Sequence, residues 1–244
     1  MNIGIIGAGN IGATLAQKLS GQGHTVKLAN SRDPSTIAEL ARMMGAVAVE
    51  RQEAVREVDV VILSTPFDKH AELKALLSGV PESVIVIDTS NYYPFRDGDI
   101  EDIRNGKPES VYASEILQRP VIKAWNAVLA MTLQEKGRAV GYASRIAIPV
   151  AGDNPAAKSV TLDLVSQTGF DAVDGGTLSE SWRQQPGTPA YCTELKAEEL
   201  KTALQVADKA RAPLNRDALI REFMSAGEQL THDAIVGRNR AVTA

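Results

Sequence analysis

The feature that most constrains the fold of this chain is a run of six residues near its N-terminus, Gly7-Ala8-Gly9-Asn10-Ile11-Gly12. An apolar run, Asn2–Ile6, precedes it, and a stretch of helical period leads from it to a second apolar run, Thr25–Ala29. In a strand–turn–helix unit of this kind, the first glycine permits a tight turn and the second lets the backbone approach a pyrophosphate. The third glycine lets the helix pack on the strand, and N–H groups at the helix start hold the phosphates. Because the strand, the helix and the second strand all occur where the motif requires them, the run predicts a dinucleotide site formed by all six residues.

Short apolar runs alternate with stretches of helical period as far as residue 176, a pattern typical of parallel strands joined by crossover helices. It predicts an α/β fold, a Rossmann-type doubly wound and mostly parallel sheet, over residues 1–176. The predicted strands are Asn2–Ile6, Thr25–Ala29, Ala46–Val49, Val60–Ser64, Val84–Asp88, Val121–Trp125, Ile146–Ala151 and Phe170–Val173. The predicted helices are 11–20, 35–44, 53–57, 69–77, 111–118 and 156–167.

The pattern changes after Gly176, where no further strand signal occurs. Two polar helices are predicted, over 197–210 and 213–236, followed by a loose tail over 239–244. We therefore expect two units: a cofactor-binding domain over 1–176 and a small helical region over 177–244 that serves the substrate or a dimer contact.

Composition excludes several classes of protein. The 26 basic and 30 acidic residues give a net charge of −4, and no basic cluster marks a nucleic-acid surface. The single cysteine cannot form an internal disulfide, and the histidines are too widely spaced for a metal motif. No apolar run approaches the roughly 20 residues of a membrane helix. We expect a cytoplasmic protein with a small-molecule partner and without metal, membrane or nucleic acid.

The residues after the second predicted strand discriminate between NAD and NADP. An acidic residue at this position would bind the ribose hydroxyls of NAD. Here the residues are Asn30, Ser31 and Arg32, and a guanidinium beside a hydroxyl and an amide suits the phosphate of NADP. Asp33 precedes Pro34 and is expected to cap the following helix instead of binding ribose. The sequence therefore predicts NADP as the cofactor.

Three further strand ends carry polar residues, and ligands of open parallel sheets lie at such ends. Turn chemistry alone also explains each of these residues. No Ser/His/Asp set is recognisable, and His70 is predicted to lie on a helix surface. We therefore predict no catalytic side chain, which fits hydride exchange with a flavin-like ring. The three segments are 64–67, 88–91 and 123–126.

One set of motifs resembles the NADP-dependent oxidoreductases of coenzyme F-420, a deazaflavin, which are relatives of the NADPH-binding domain of metalloreductases. The set consists of the glycine run 7–12, Asn30-Ser31-Arg32, and the segments 64–67, 123–126, 148–153 and 174–178. The resemblance covers about residues 1–183. It implies a nicotinamide near Thr65, Pro66 and Asn91, direct hydride transfer without a protein nucleophile, and often a homodimer.

The segment after residue 183 extends beyond the ending of that family, and we expect it to shape the substrate pocket. Coenzyme F-420, an ordinary flavin such as FMN, and a small carbonyl or imine compound all stay open as acceptors. The last would make the protein a reductase of the β-hydroxyacid dehydrogenase or pyrroline-carboxylate reductase type. Trp182 and Tyr191 could stack on the acceptor or lie in the core. A redox sensor that binds NADPH without turnover is the non-enzymatic alternative.

Overall fold

The computed structural model describes residues 1–227 and 230–244. Its main element is a six-stranded parallel sheet with the strand order β3-β2-β1-β4-β5-β6. The chain leaves β1 on one side towards β2 and returns on the other side at β4, which is the arrangement of a doubly wound sheet. The Rossmann-type fold is thereby confirmed. The strands are β1 (Asn2–Ile6), β2 (Thr25–Ala29), β3 (Val47–Ala48), β4 (Val60–Leu63), β5 (Ile85–Asp88) and β6 (Ile122–Lys123).

The apolar strands are buried on both faces. Ile3 and Ile5 of β1 belong to one hydrophobic cluster, whereas Ile6 belongs to the other. Successive side chains of a strand point to opposite faces, so the two clusters are the two sides of the sheet. Leu15 of the first helix packs on one side and Leu73 of the fourth on the other. This burial explains the nearly continuous apolar runs in the sequence.

Twelve α-helices and three 3-10 helices surround the strands in the described ranges, and none of them is long and apolar enough to cross a membrane. The sequence analysis missed α5, α6 and α8, which have too few residues to show a helical period. The α-helices are α1 (Asn10–Ser20), α2 (Ala38–Met43), α3 (Arg51–Ala54), α4 (His70–Leu77), α5 (Pro94–Asp97), α6 (Glu101–Arg104), α7 (Glu109–Leu117), α8 (Ala130–Glu135), α9 (Pro155–Gln167), α10 (Ala197–Val206), α11 (Ala212–Ala226) and α12 (His232–Thr243). The 3-10 helices are Pro34–Ile37, Phe67–Lys69 and Leu178–Gln184.

The last two strands do not extend the parallel sheet as the sequence analysis expected. β7 (Ala147–Val150) and β8 (Asp171–Asp174) form a separate two-stranded parallel sheet. An antiparallel bridge joins the two sheets, with Lys123 N and Ala151 O 2.7 Å apart. The strand segments were predicted correctly, but apolar periodicity does not specify which strands pair.

The C-terminal region corrects two further predictions. The predicted helix over 213–236 is two helices, because α11 ends before Gly227, whose φ is +53°, and Thr231 caps α12. The predicted loose tail over 239–244 is the end of α12, in which Asn239 is buried. Arg240 fixes this helix by donating to the carbonyl oxygen of Thr193 at 2.6 Å.

Candidate functional site

The strand ends singled out in the sequence lie side by side along one edge of the sheet. Gly7, after β1, donates its N–H to the Ala29 carbonyl at the end of β2, with an N···O distance of 2.8 Å. On the other side of β1, Ser64 N lies 2.8 Å from Ile6 O. The ends of β2, β1, β4 and β5 span three strand spacings of about 4.8 Å each. This edge is the position at which a doubly wound sheet binds a ligand.

The glycines at positions 7 and 12 are required by close packing. Gly7 has a φ of +113°, and a Cβ on it would lie 2.0 Å from the Ser64 carbonyl oxygen. A Cβ on Gly12 would lie 1.9 Å from the Gly7 carbonyl oxygen. These two positions therefore shape the turn and seat α1 against it.

Gly9 has a different environment. A Cβ built on it meets no atom of residues 1–227 or 230–244 within 4 Å. Its backbone is extended, with φ −76° and ψ −176°, a conformation open to any residue. It is also the N-cap of α1, and no side chain in the described part of the chain caps that helix start. The structure thus leaves free space and uncapped N–H groups at the point where the motif predicts a pyrophosphate.

The residues after β2 form a small turn beside this helix start. Asn30 Oδ1 accepts a hydrogen bond from the Arg32 N–H at 2.9 Å, and the Ser31 and Arg32 side chains are exposed. Asp33 caps the following 3-10 helix, with Oδ1 2.9 Å from Ser35 N. The expected role of Asp33 as a cap is confirmed, since its carboxylate accepts the Ser35 N–H.

At the other end of the site, a network of side-chain amides joins β5 to β6. Asn126 Nδ2 lies 3.0 Å from Asn91 Oδ1 and 2.9 Å from the Gln184 carbonyl oxygen. Gln184 Nε2 in turn donates to Asn126 Oδ1 at 2.8 Å. Thr65 lies at the end of the neighbouring strand, followed by the exposed Pro66, and Thr65 Oγ1 is buried without a hydrogen-bond partner in the described residues.

A buried ion pair lies beneath this network. Lys123 Nζ is 2.7 Å from Asp88 Oδ2, and both side chains are fully buried. Burial acts to raise the pKa of Asp88, but Lys123 and His70 outweigh it and hold that pKa well below its ordinary value. His70, whose Nε2 lies 3.2 Å from Asp88 Oδ1, is 2% exposed, so its predicted surface position is wrong. The cluster fixes the ends of β5 and β6, and Lys123 is not free for another ligand.

Two tyrosines beyond β5 and in the C-terminal segment lie against each other. The hydroxyl oxygens of Tyr93 and Tyr191 are 2.7 Å apart. Burial raises the pKa of both phenols, so they stay protonated at neutral pH. Tyr191 is placed here because the N–H of its neighbour Cys192 donates to the carbonyl oxygen of Ala127 at 3.0 Å, next to Asn126.

Glu109 is a residue that the sequence analysis missed. It is 3% exposed, and its Oε2 accepts a hydrogen bond from Tyr92 N at 3.1 Å, one residue after Asn91. Burial raises its pKa to about 7, partly offset by the charge of Lys123. No local motif marks Glu109, because its burial depends on segments distant in sequence. A cavity of about 750 Å³ lies at the opposite edge, by the starts of β5 and β6, and none of these groups lines it.

Comparison with known proteins gives a consistent result for the N-terminal part of the chain. Residues 2–92 match the family described as NADP oxidoreductase coenzyme F420-dependent. The chain is 43% identical over 102 residues to "Putative protein YjhV" of Escherichia coli K12, covering 42% of this chain and 74% of that protein. The residues that match the family, 2–92, include the glycine run and the ends of β2, β4 and β5.

More distant relatives extend the similarity along the chain. The metalloreductase STEAP3 of Rattus norvegicus is 26% identical over 180 residues, which is 73% of this chain but only 34% of STEAP3. The structure of a "putative F420 dependent NADP-reductase" from Arthrobacter sp. FB24 superposes with a TM-score of 0.60 at 20% identity, covering 93% of this chain and 95% of that one. At that identity, the superposition shows the shared fold.

Proposed function

Since the chain belongs to the family of NADP oxidoreductases described as coenzyme F420-dependent, we propose that it transfers hydride between NADPH and a flavin-like acceptor, either a deazaflavin such as coenzyme F-420 or FMN. Its membership makes it an NAD(P)-dependent oxidoreductase. The acceptor and the roles of individual residues are the content of the proposal.

The observation that carries the proposal is the free space at Gly9 beside the uncapped start of α1. Gly7 and Gly12 are glycines for packing reasons, but packing does not require a glycine at position 9. A pyrophosphate at this place would accept from the N–H groups of α1 and need the room that a side chain would fill. Ala8, Asn10 and Ile11 complete the loop around it.

The adenosine end of the cofactor is assigned to the turn after β2. Arg32 is exposed and carries no salt bridge within the described ranges, while Asp33 is held by Ser35. The Arg32 guanidinium and Ser31 hydroxyl would bind the 2′-phosphate, with the Asn30 side chain fixing the Arg32 backbone at 2.9 Å. A free guanidinium at this place favours NADP over NAD.

The nicotinamide end is assigned to Thr65, Pro66 and Asn91. Bound NADPH would supply the hydride, and the chain would supply position. The unpartnered Thr65 Oγ1 has hydrogen-bonding capacity for the carboxamide, and the Asn91–Asn126 pair fixes the neighbouring wall. Pro66 limits the motion of the turn between these groups.

A small carbonyl or imine acceptor is the second candidate, and the tyrosine pair favours it. Such a reduction needs a proton donor, which the sequence alone did not reveal. The Tyr93 and Tyr191 hydroxyls, 2.7 Å apart, are protonated groups that the chain connects to the Asn91–Asn126 pair. Tyr93 follows Asn91 by two residues, and Cys192, next to Tyr191, donates its N–H to the carbonyl oxygen of Ala127, next to Asn126. Replacement of Tyr191 by Phe should then abolish carbonyl or imine reduction while NADPH binding is unchanged.

The test is anaerobic oxidation of NADPH, followed by the loss of nicotinamide absorbance. Coenzyme F-420, FMN and a panel of small carbonyl and imine compounds serve as acceptors, and NADH is the cofactor control. Turnover with F-420 or FMN supports the proposal, and turnover confined to the carbonyl or imine panel supports the second candidate. Tight NADPH binding without turnover for any acceptor would contradict both and favour a sensor. Sedimentation of the same sample tests whether the chain forms the homodimer that the family resemblance implies.

A further inference from the structure

A second pocket, of about 340 Å³, lies between the segment after β5, the start of α7 and the C-terminal region. This volume suits a small organic molecule. The pocket contains none of the residues assigned above to NADP. We call it the Trp182 pocket, and its argued lining residues are Tyr92, Glu109, Trp182, Gln185, Lys209 and Arg216.

The inner end of the Trp182 pocket is polar. Glu109 is buried there, and within the described residues its carboxyl accepts a single hydrogen bond, from Tyr92 N at 3.1 Å. Gln185 contributes to lowering the pKa of Glu109. Its Nε2 is buried and completes no hydrogen bond within the described residues. The charges that face this carboxyl come from Lys123 and Arg216. The inner end therefore has unused capacity to bond a polar group.

The outer end carries a cation for which the described residues supply no counterion. Among the lining residues that the structure describes, Arg104, Lys107 and Arg216 each form a salt bridge with a carboxylate. Lys209 forms none, and its ammonium lies 5.8 Å from the centre of the Trp182 ring. An anionic group of a ligand would complete this end of the pocket.

Flat walls connect the two ends. Tyr92 and Trp182 contribute aromatic rings, and Ile103, Pro186 and Pro213 contribute apolar surface. We propose that the Trp182 pocket binds a small planar carboxylate, with the acid group at Lys209 and a hydroxyl or similar polar group at Glu109. This site is additional to the proposed hydride transfer and does not depend on it.

The probes are 4-hydroxybenzoate, benzoate and phenol, titrated into the full chain by calorimetry. The first has both polar ends, and each of the others lacks one. We expect 4-hydroxybenzoate to bind at least fivefold more tightly than either of the others. No binding by 4-hydroxybenzoate up to tens of millimolar, or equal binding by all three, would overturn the proposal.

Nuclear magnetic resonance locates the binding, because the chain has only two tryptophans. The indole N–H signal of Trp182 should shift on titration with 4-hydroxybenzoate, whereas Trp125, which is 1% exposed in the core, should not respond. A Trp182→Phe variant assigns the signals. Binding that leaves the Trp182 signal unmoved would place the ligand elsewhere and overturn the assignment.

A matched pair of variants tests the charged end. Lys209→Ala should weaken 4-hydroxybenzoate at least fivefold and leave phenol unchanged. Arg211→Ala removes an equally exposed cation two residues away that does not line the pocket, and it should change neither. Equal effects of the two substitutions would show attraction by general surface charge and would contradict a specific site.

Discussion

Asn91 and Asn126 hold each other through two hydrogen bonds at the ends of adjacent strands. Asn91 Nδ2 donates to the Asn126 carbonyl oxygen at 2.9 Å, and Asn126 Nδ2 donates to Asn91 Oδ1 at 3.0 Å. The first bond ties a side chain to the backbone and the second joins the side chains. The pair therefore holds Asn91 in one orientation beside the proposed nicotinamide position.

Removing the Asn126 side chain should cost stability. Asn126→Ala would leave Asn91 Oδ1 and groups of Gln184 without partners in a buried place, at a cost of about 3 kcal/mol. Urea unfolding measures the loss. Asn105→Ala, at an exposed helix end, is the control and should change the free energy of unfolding by under about 0.5 kcal/mol. If Asn126→Ala lost no more stability than Asn105→Ala, the hydrogen bonds of Asn126 would not stabilise the fold, and this prediction would be wrong.

Gly9 and Gly12 should respond in opposite ways to an added side chain. Gly9→Val places its side chain in open space, so the thermal unfolding temperature should hardly change while NADPH affinity falls more than tenfold, or about 1.4 kcal/mol. Gly12→Ala brings a Cβ to 1.9 Å from a carbonyl oxygen, and it should lose about 1–3 kcal/mol of stability. A Gly9→Val variant that binds NADPH normally would exclude the proposed pyrophosphate position.

Arg32 should discriminate between the two nicotinamide cofactors. Arg32→Ala removes a charged hydrogen bond to the 2′-phosphate, and NADPH affinity should fall by about 1.5–3 kcal/mol while NADH affinity is nearly unchanged. Calorimetric titration with both cofactors measures the difference. Arg221→Ala, at an exposed position on α11, is the control. Equal losses for NADPH and NADH would contradict the assignment.

Glu109 should make stability depend on pH. Burial raises its pKa from 4.5 to about 7, so the folded state holds the proton more tightly than the unfolded state. The contribution of Glu109 to stability is therefore fully present below about pH 4.5 and is lost progressively between about pH 4.5 and pH 7. The total loss is about 3 kcal/mol, and the contribution does not change further above about pH 7. Glutamine at this position cannot ionise, so the free energy of unfolding of Glu109→Gln relative to the wild type should rise by about that amount between pH 5 and pH 8, as measured by urea unfolding. A constant difference would show that Glu109 titrates normally.

The sequence predicted those parts of the site that depend on local order. Gly7, Gly9 and Gly12 serve one turn and one helix, so their spacing alone carries the information. The segments of the eight strands were also predicted, because apolar runs report burial on both faces. The rule that parallel strands end at a common edge of the sheet predicted that the residues after β2, β4 and β5 lie side by side.

The rest depended on contacts between residues far apart in the sequence. His70, Asp88 and Lys123 meet only because β5 pairs with β6 in a given register and α4 packs beneath them. His70 alone looked like a surface residue of a polar helix. Glu109 is buried partly by residues more than 70 positions later, and the ordered end of α12 depends on contacts with Thr193. Local sequence patterns do not contain information on such long-range contacts.

We propose that hydrogen passes directly from NADPH to the acceptor, and isotopic labelling tests this transfer. NADPH deuterated at carbon 4, in each of its two stereoisomers, is oxidised anaerobically in the presence of the deazaflavin, whose reduced ring carries the transferred hydrogen on carbon. We predict deuterium in the reduced deazaflavin from one stereoisomer and none from the other. A deazaflavin that is reduced without deuterium from either stereoisomer would contradict direct transfer.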